Sequence, residues 1–195
     1  MTGGDKREDI QKLAIAVKNI AWGYLLLHFN VNLGRIDILP DWAGYLLILT
    51  ALPVLGEKRP SALLLKPLGQ LLAAYSGLVW FATILGWTNE IHVLRILPVV
   101  VSLYFHFQLL TDLAAVGQGP EGMMILHLRT VYTIVLTLIF LPSPKDNISN
   151  VTMVLAVTAM IVALCLCHTL FNLRRSLLVR VDGIAESVTY FSSAR

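Results

Sequence analysis

Ionisable side chains at helical spacing inside an apolar stretch are the residues of this chain that could do chemistry. Five residues of the stretch 91–116 recur at steps of three and four and so share one helical face: His92, Arg95, Val99, Ser102 and His106. We expect this face to look into a helix bundle, where such a row could relay protons or line a substrate path. Interhelical hydrogen bonds would use the same residues without any activity, so both interpretations stay open.

Two candidate sites follow when the polar residues are sorted by depth, taking the side richer in Lys and Arg as the inner side. The outer polar cluster contains two acids, two arginines and a histidine: Arg35, Asp37, Asp41, His92 and Arg95. Its acids could serve a bound cation or Arg95. The alternative is a rigid outer hairpin that fixes the first two helices, with Asp41 in a first helical turn where the helix dipole favours a carboxylate.

The inner polar cluster combines one acid with three basic or titratable residues: Lys18, Asp112, His127 and Arg129. Asp112 is its only acid, so Lys18 and Arg129 are the natural partners of its carboxylate. A buried ion pair of this kind can determine which helices meet even where it adds little net stability.

The elements that must position these residues are apolar and long. Hydrophobic residues make up 56% of the 195-residue chain and charged residues only 14%, whereas ordinary soluble domains are about a quarter charged. About six stretches match the roughly 20 residues that cross a bilayer's hydrocarbon core. We therefore predict an all-α, polytopic transmembrane helix bundle in residues 1–175. Its spans are expected at about 13–30, 40–55, 68–87, 91–116, 123–141 and 151–172.

The basic residues predict the orientation of this bundle. Ten lie in the N-terminal tail, the second connection and the C-terminal tail, against three on the opposite side: Arg35, Arg95 and Lys145. Cytoplasmic segments carry such an excess of Lys and Arg, so both termini are expected in the cytoplasm. The same bias accounts for the net charge of +3 without a nucleic-acid partner.

The C-terminal tail, residues 176–195, is predicted to be a cytoplasmic amphipathic helix separate from the last span. Apolar residues recur there at helical spacing, namely Leu177, Val181, Ile184, Val188 and Phe191. Such a helix would lie on the inner leaflet with its basic residues towards anionic lipid. A frayed tail interrupted at Gly183 is the alternative.

Catalytic and metal motifs are not found. The sequence contains no GxSxG, HExxH, phosphate-loop or dinucleotide pattern, so we expect no enzyme activity, no catalytic residue and no cofactor. Cys165 and His168 share a helical face, but two ligands fall short of a four-ligand metal site, and no metal is expected.

The segment Ile-Leu-Pro-Asp-Trp-Ala-Gly-Tyr-Leu-Leu-Ile, residues 38–48, resembles a motif of one group of proteins. These are uncharacterised, small, multi-helix inner-membrane proteins of Gram-positive bacteria that carry ILPD(F/W)xGYxLI after the first span. The segment 104–115, ending Thr-Asp-Leu-Ala, is similar to the close of their fourth helix. The resemblance implies a location in the bacterial cytoplasmic membrane and implies no activity.

Two functions are favoured by the sequence, and an intramembrane enzyme is the least favoured alternative. The first is a structural, accessory or transport-related membrane subunit, whose partners would be the lipid bilayer and another membrane protein or a second copy of the chain. The second is a small-molecule-binding subunit of an importer. The chain is similar in size and helix number to the vitamin-binding subunits of energy-coupling-factor importers, although Ala14, Ala16 and Ala21 match their small-residue pattern only partly.

Overall fold

A computed structural model describes residues 3–29, 32–33, 36–37, 40–86, 96–117, 119–140 and 148–193. The secondary-structure elements of the described chain are all helices, apart from one pair of strands of two residues each. The α-helices are α1 (Gly3–His28), α2 (Asp41–Lys58), α3 (Leu65–Ile84), α4 (Ile96–Val116), α5 (Pro120–Phe140) and α6 (Ile148–Ser193). A 3₁₀ helix, Pro60–Leu64, precedes α3, and the antiparallel strands β1 (Asn32–Leu33) and β2 (Ile36–Asp37) lie between α1 and α2.

Four helical segments of the described chain are long and apolar enough to cross a membrane. They are Pro60–Ile84, Leu97–Val116, Pro120–Ile139 and Met153–Gly183. The helices α1 and α2 carry more charge, since α1 begins with a charged segment and α2 ends in Glu57 and Lys58. The predicted all-α bundle is thus confirmed, with four of its helices of membrane-spanning character.

Helix α1 lies at the centre of the bundle, between α2 and α6. Its inward residues Val17, Ile20 and Tyr24 are fully buried and contribute to one continuous hydrophobic core with the other helices. In contrast, Ile15 and Trp22 of the same helix are about half exposed. The middle of the helix therefore carries apolar side chains both inside the bundle and on its outer surface.

Helices α1 and α2 approach each other closely at a pair of glycines. A Cβ atom on Gly44 would lie 2.8 Å from the carbonyl oxygen of Gly23 and 2.8 Å from Leu27. A Cβ atom on Gly23 would in turn lie 2.8 Å from the carbonyl oxygen of Gly44. Only residues without a side chain allow this distance, so the two glycines permit the close approach of α1 and α2.

Helix α6 differs from the expected span followed by a separate tail. It is continuous from Ile148 to Ser193, 46 residues, and Gly183 does not interrupt it. Leu177 and Val181, expected to contact lipid, are only 3% and 5% exposed, and Leu177 belongs to the bundle core. The apolar stripe packs on protein here because α1 also extends past the expected span, beginning at Gly3.

Candidate functional site

Five helices surround a polar cavity near the end of the bundle where α1 stops and α2 begins. Its volume is about 470 Å³, and α1, α2, α3, α4 and α5 all contribute to its wall. The lining combines aromatic rings with hydroxyl, imidazole and carboxylate groups: Leu27, His28, Asp41, Tyr45, Leu72, Tyr75, Ser76, Pro98, Val99, Ser102, His106, Tyr132 and Leu136. We refer to this space as the outer cavity.

His28, in the last turn of α1, connects that helix to α5. Its Nδ1 lies 2.8 Å from the carbonyl oxygen of Tyr24, and its Nε2 lies 2.8 Å from the hydroxyl of Tyr132. A carbonyl oxygen only accepts, so Nδ1 carries the hydrogen. In the neutral ring, Nε2 then accepts the hydrogen bond that the Tyr132 hydroxyl donates. The contact fixes both the tautomer of His28 and the direction of the tyrosine hydroxyl.

His106 of α4 lies deeper in the wall, with 3% of its surface exposed. Its Nδ1 is 3.0 Å from the Tyr24 hydroxyl, which joins α4 to α1. The rings of Tyr24, Tyr45 and Tyr132 surround the imidazole with centroids between 5.3 and 6.0 Å away. Both histidines are therefore held by tyrosines, and the wall of the outer cavity is largely aromatic.

The α2 side of the outer cavity carries Asp41 and Tyr45, one helical turn apart. Asp41 begins α2 directly after Pro40, and Tyr45 points across to Ser102 of α4, with 3.4 Å between the two hydroxyl oxygens. The reciprocal contact of Gly23 and Gly44 brings this end of α2 against α1. The glycine contact thus positions two of the polar groups of the cavity.

The structure describes only part of the outer polar cluster. Asp41 lines the outer cavity, and Asp37 ends the short strand β2, where its backbone alone is described. Arg35, His92 and Arg95 lie outside the described residues. The predicted inward face of α4 is present where the structure describes it, because Val99, Ser102 and His106 all line the cavity.

The inner polar cluster does not form the expected ion pair. Asp112 is 1% exposed, and its Oδ1 accepts hydrogen bonds from the Ser61 hydroxyl at 2.6 Å and the Gln108 amide at 3.1 Å. Its Oδ2 is buried and has no hydrogen-bond partner among the described residues. Neither Lys18 nor Arg129 lies within ion-pairing distance, so Asp112 joins the 3₁₀ helix to α4 through neutral donors.

The cations of the inner polar cluster lie elsewhere. Arg129 of α5 donates a hydrogen bond from Nη1 to the Thr111 hydroxyl at 2.8 Å, and its guanidinium carbon lies 4.2 Å above the ring of Phe107. This places its charge on an aromatic face of α4 rather than beside a carboxylate. His127 is exposed and bonds the Met123 carbonyl of its own helix, so it does not join the cluster.

Four tyrosines of the site were missed by the sequence argument: Tyr24, Tyr45, Tyr75 and Tyr132. Buried tyrosine carries no charge, so a search for ionisable residues inside apolar stretches passes over it. One signal was available, since Tyr24 and His28 are four residues apart and must share a helical face.

The fold and the outer cavity together define a class: an all-helical bundle with four helices of membrane-spanning length and an internal polar cavity. No protein-family model matches the chain, and no curated protein or solved structure matches it either.

Proposed function

We propose that this protein is a multi-pass membrane protein that binds a small polar molecule in the outer cavity, as a transport-related or substrate-binding subunit. The observation that carries the proposal is the cavity itself. Its lining brings His28, Asp41 and Ser102 from three helices around one open space of about 470 Å³. Ligand sites are typically preformed clefts of this kind, apolar in most of their wall with a few convergent polar groups.

The aromatic wall supports the same proposal. The imidazoles are already bonded to tyrosines of neighbouring helices, which holds their rings in fixed orientations. A site that selects a ligand needs such fixed groups, because ordering them during binding costs free energy. The ligand is expected to be small, with an apolar body for the tyrosine rings and polar groups for the hydroxyl and carboxylate oxygens.

Placement in the membrane is part of the proposal, with α1 and α2 as spans in addition to the four apolar helices. In the middle of both helices the exposed residues include apolar side chains, namely Ile15 and Trp22 of α1 and Leu46 of α2. Six spans return the chain to the side on which it began, and the excess of Lys and Arg assigns that side to the cytoplasm. The resemblance of residues 38–48 favours a bacterial cytoplasmic membrane.

A second candidate function is that of an accessory subunit associated with another membrane protein. An open apolar groove of about 610 Å³ runs along α2 and α3 and contains Trp42, Ala73 and Gly77. The exposed amide of Gln70 lies in the same groove. Small residues and a polar side chain on a lipid-facing surface are typical of helix association in membranes.

Filling the outer cavity tests the leading proposal. Ser102→Phe places a ring in the cavity, whereas Val100→Phe, two residues away, adds the same group to a residue that is 56% exposed on the outside of α4. Native mass spectrometry in mild detergent should detect a small molecule on the wild type and on Val100→Phe but not on Ser102→Phe. Equal retention by both variants, or an accessory protein in place of a small molecule, contradicts the proposal.

Cysteine labelling tests the orientation separately. Single cysteines at Ser143 and at Arg59, which is exposed between α2 and the 3₁₀ helix, are placed in a chain with Cys165 and Cys167 replaced by alanine. A membrane-impermeant thiol reagent on intact cells should label position 143 and leave position 59 unlabelled. The reverse pattern overturns the orientation without affecting the cavity.

A further inference from the structure

A second polar site lies far from the outer cavity, in an open groove between the start of α5 and the second half of α6. The volume of this groove is about 820 Å³. Its lining combines two guanidinium groups, one carboxylate, neutral polar groups and a few apolar side chains: Pro120, Glu121, Met124, His168, Thr169, Asn172, Arg175, Ser176, Val179 and Arg180. We refer to it as the α5–α6 groove.

The outward surface of α6 changes character where this groove begins. Exposed residues from Met153 to Leu164 are mainly apolar, and the exposed residues that follow include His168, Asn172 and Arg175. About 20 helical residues span the hydrocarbon core of a bilayer, and α6 starts at Ile148. The change from apolar to polar therefore lies at the depth expected for the boundary between hydrocarbon and headgroups.

Helix α5 reaches the same boundary from the other direction. Its first turn, Pro120 and Glu121, forms one wall of the groove, and the exposed residues that follow include Met123, Met124 and Val131. The groove thus combines the polar part of the α6 surface with apolar side chains of α5, Pro120 and Met124, at the same end of the bundle. A molecule that fits them must be polar at one end and apolar at the other.

The charges of the described lining favour an anion. Arg175 and Arg180 contribute two positive charges and Glu121 one negative charge, which leaves a net charge of +1. Arg180 makes contacts of its own, whereas Arg175 is exposed on the α6 wall. Asn172 and Ser176 add neutral donors beside it. Guanidinium and neutral donors together are the usual partners of a phosphate group.

We propose that the α5–α6 groove binds an anionic glycerophospholipid, with its phosphate at Arg175 and its acyl chains against Met124 and the apolar surface beyond. The singly charged phosphodiester matches the net charge of the lining, and the lipid's two-part chemistry matches the two parts of the groove. This inference depends on the proposed membrane placement and is independent of any ligand in the outer cavity.

Lipid titration followed by native mass spectrometry tests the site with the full-length protein in nonionic detergent. Dioctanoyl phosphatidylglycerol should bind more tightly than dioctanoyl phosphatidylcholine, which has no net charge. Arg175→Gln should weaken phosphatidylglycerol binding about five-fold, the effect of roughly one basic residue near an anionic headgroup. Arg174→Gln is the matched control, because it removes the same charge one position away and Arg174 does not line the groove.

Four results would overturn the site. Equal weakening by Arg174→Gln and Arg175→Gln would show only a diffuse attraction between basic residues and anionic lipid. Equal affinity for the two lipids would exclude recognition of net charge. If inorganic phosphate competes at the same concentration as the lipid, the groove holds a free anion. Absence of the protein from the membrane fraction would overturn the membrane placement itself, whereas any of the first three results, obtained with protein extracted from that fraction, overturns the lipid site alone.

Discussion

The two ends of the bundle use polar residues in opposite ways. At the outer cavity, groups from five helices are arranged around an open space, and its histidines are bonded to tyrosines. At the inner end, Asp112 and Arg129 lie between helices, where a hydroxyl and an amide donate to one carboxylate oxygen of Asp112 and an aromatic ring lies under the guanidinium of Arg129. Charge inside an apolar bundle is therefore no guide to a binding site unless a space lies beside it.

Each end consequently predicts a different result when it is altered. Changes at the inner end should lower the stability of the bundle and leave ligand binding alone. Changes at the outer cavity should lower the stability of the bundle less and should alter the affinity for a bound molecule. The predictions below test this contrast, from the largest expected effect to the smallest.

Asp112→Ala is expected to be the most destabilising change. It leaves the Ser61 hydroxyl and the Gln108 amide without their acceptor in a buried site, and the free energy of unfolding should fall by about 3 kcal/mol. Reversible unfolding in mixed micelles measures this loss. Glu121→Gln, an acid in the first turn of α5, is the control and should change stability by less than about 0.5 kcal/mol. Similar values for the two variants would show that Asp112 has no structural role.

Gly44→Ala should have the next largest effect, lowering the free energy of unfolding by about 2 kcal/mol. Its new Cβ would lie 2.8 Å from the Gly23 carbonyl oxygen, a backbone atom that moves only if α1 and α2 separate. Gly77→Ala is the matched control, because a Cβ there would meet Trp42 at 3.8 Å, an ordinary contact distance. Thermal unfolding should separate the two variants clearly. A tolerated Gly44→Ala would mean that the two helices are free to move apart.

Tyr132→Phe should destabilise the ligand-free protein by about 1 kcal/mol, since His28 loses the hydroxyl that donates to its Nε2. Tyr75→Phe should be nearly neutral, because the structure shows no hydrogen bond from Tyr75 within the described residues. Both tyrosines line the outer cavity, so both variants should lower the affinity for the bound molecule. If only Tyr132→Phe affects affinity, the effect comes from the orientation of His28 rather than from the wall.

Asp9→Asn should have the smallest effect. The hydrogen bond that Lys58 donates to Asp9 at 2.9 Å lowers the pKa of this carboxyl, and the positive charge of Lys58 acts in the same direction. A lowered pKa stabilises the folded protein above the usual aspartate range, and this stabilisation is lost as the pH falls through the lowered pKa. The wild type and Asp9→Asn should differ slightly in melting temperature at pH 7 and low salt. They should converge in acid, and high salt should reduce the difference because the pair is exposed.

The helices could be predicted from sequence because each depends on a local property. The apolar length of each stretch placed α3, α4 and α5 within a few residues of their observed bounds. The end of α6 could not be predicted in this way, since an amphipathic stripe fits a lipid surface and a protein surface equally well. Leu177 lies in the core because α1 extends beside it, a fact of tertiary packing.

The outer cavity shows the same division between local and tertiary information. Helical spacing on α4 correctly placed Val99, Ser102 and His106 on the inward face. The ion pair of Asp112 with Lys18 or Arg129 was predicted from depth alone. Residues at equal depth on different helices need not be neighbours, so this prediction is wrong. The observed partner is Ser61, which lies in the 3₁₀ helix and donates a hydrogen bond to Asp112 near the end of α4.

The unbroken α6 also sets a length scale at one end of the bundle. From Asn172 to Ser193 the helix adds about 30 Å along its axis, at 1.5 Å per residue. The same helix packs on the bundle core at Leu177 and continues without a break to Ser193. A protein or label attached at its end would be held at a set distance from the bundle core and would tilt whenever α6 tilts. The C-terminal half of α6 can thus act as a rigid spacer whose angle reports on the arrangement of the helices in the bundle.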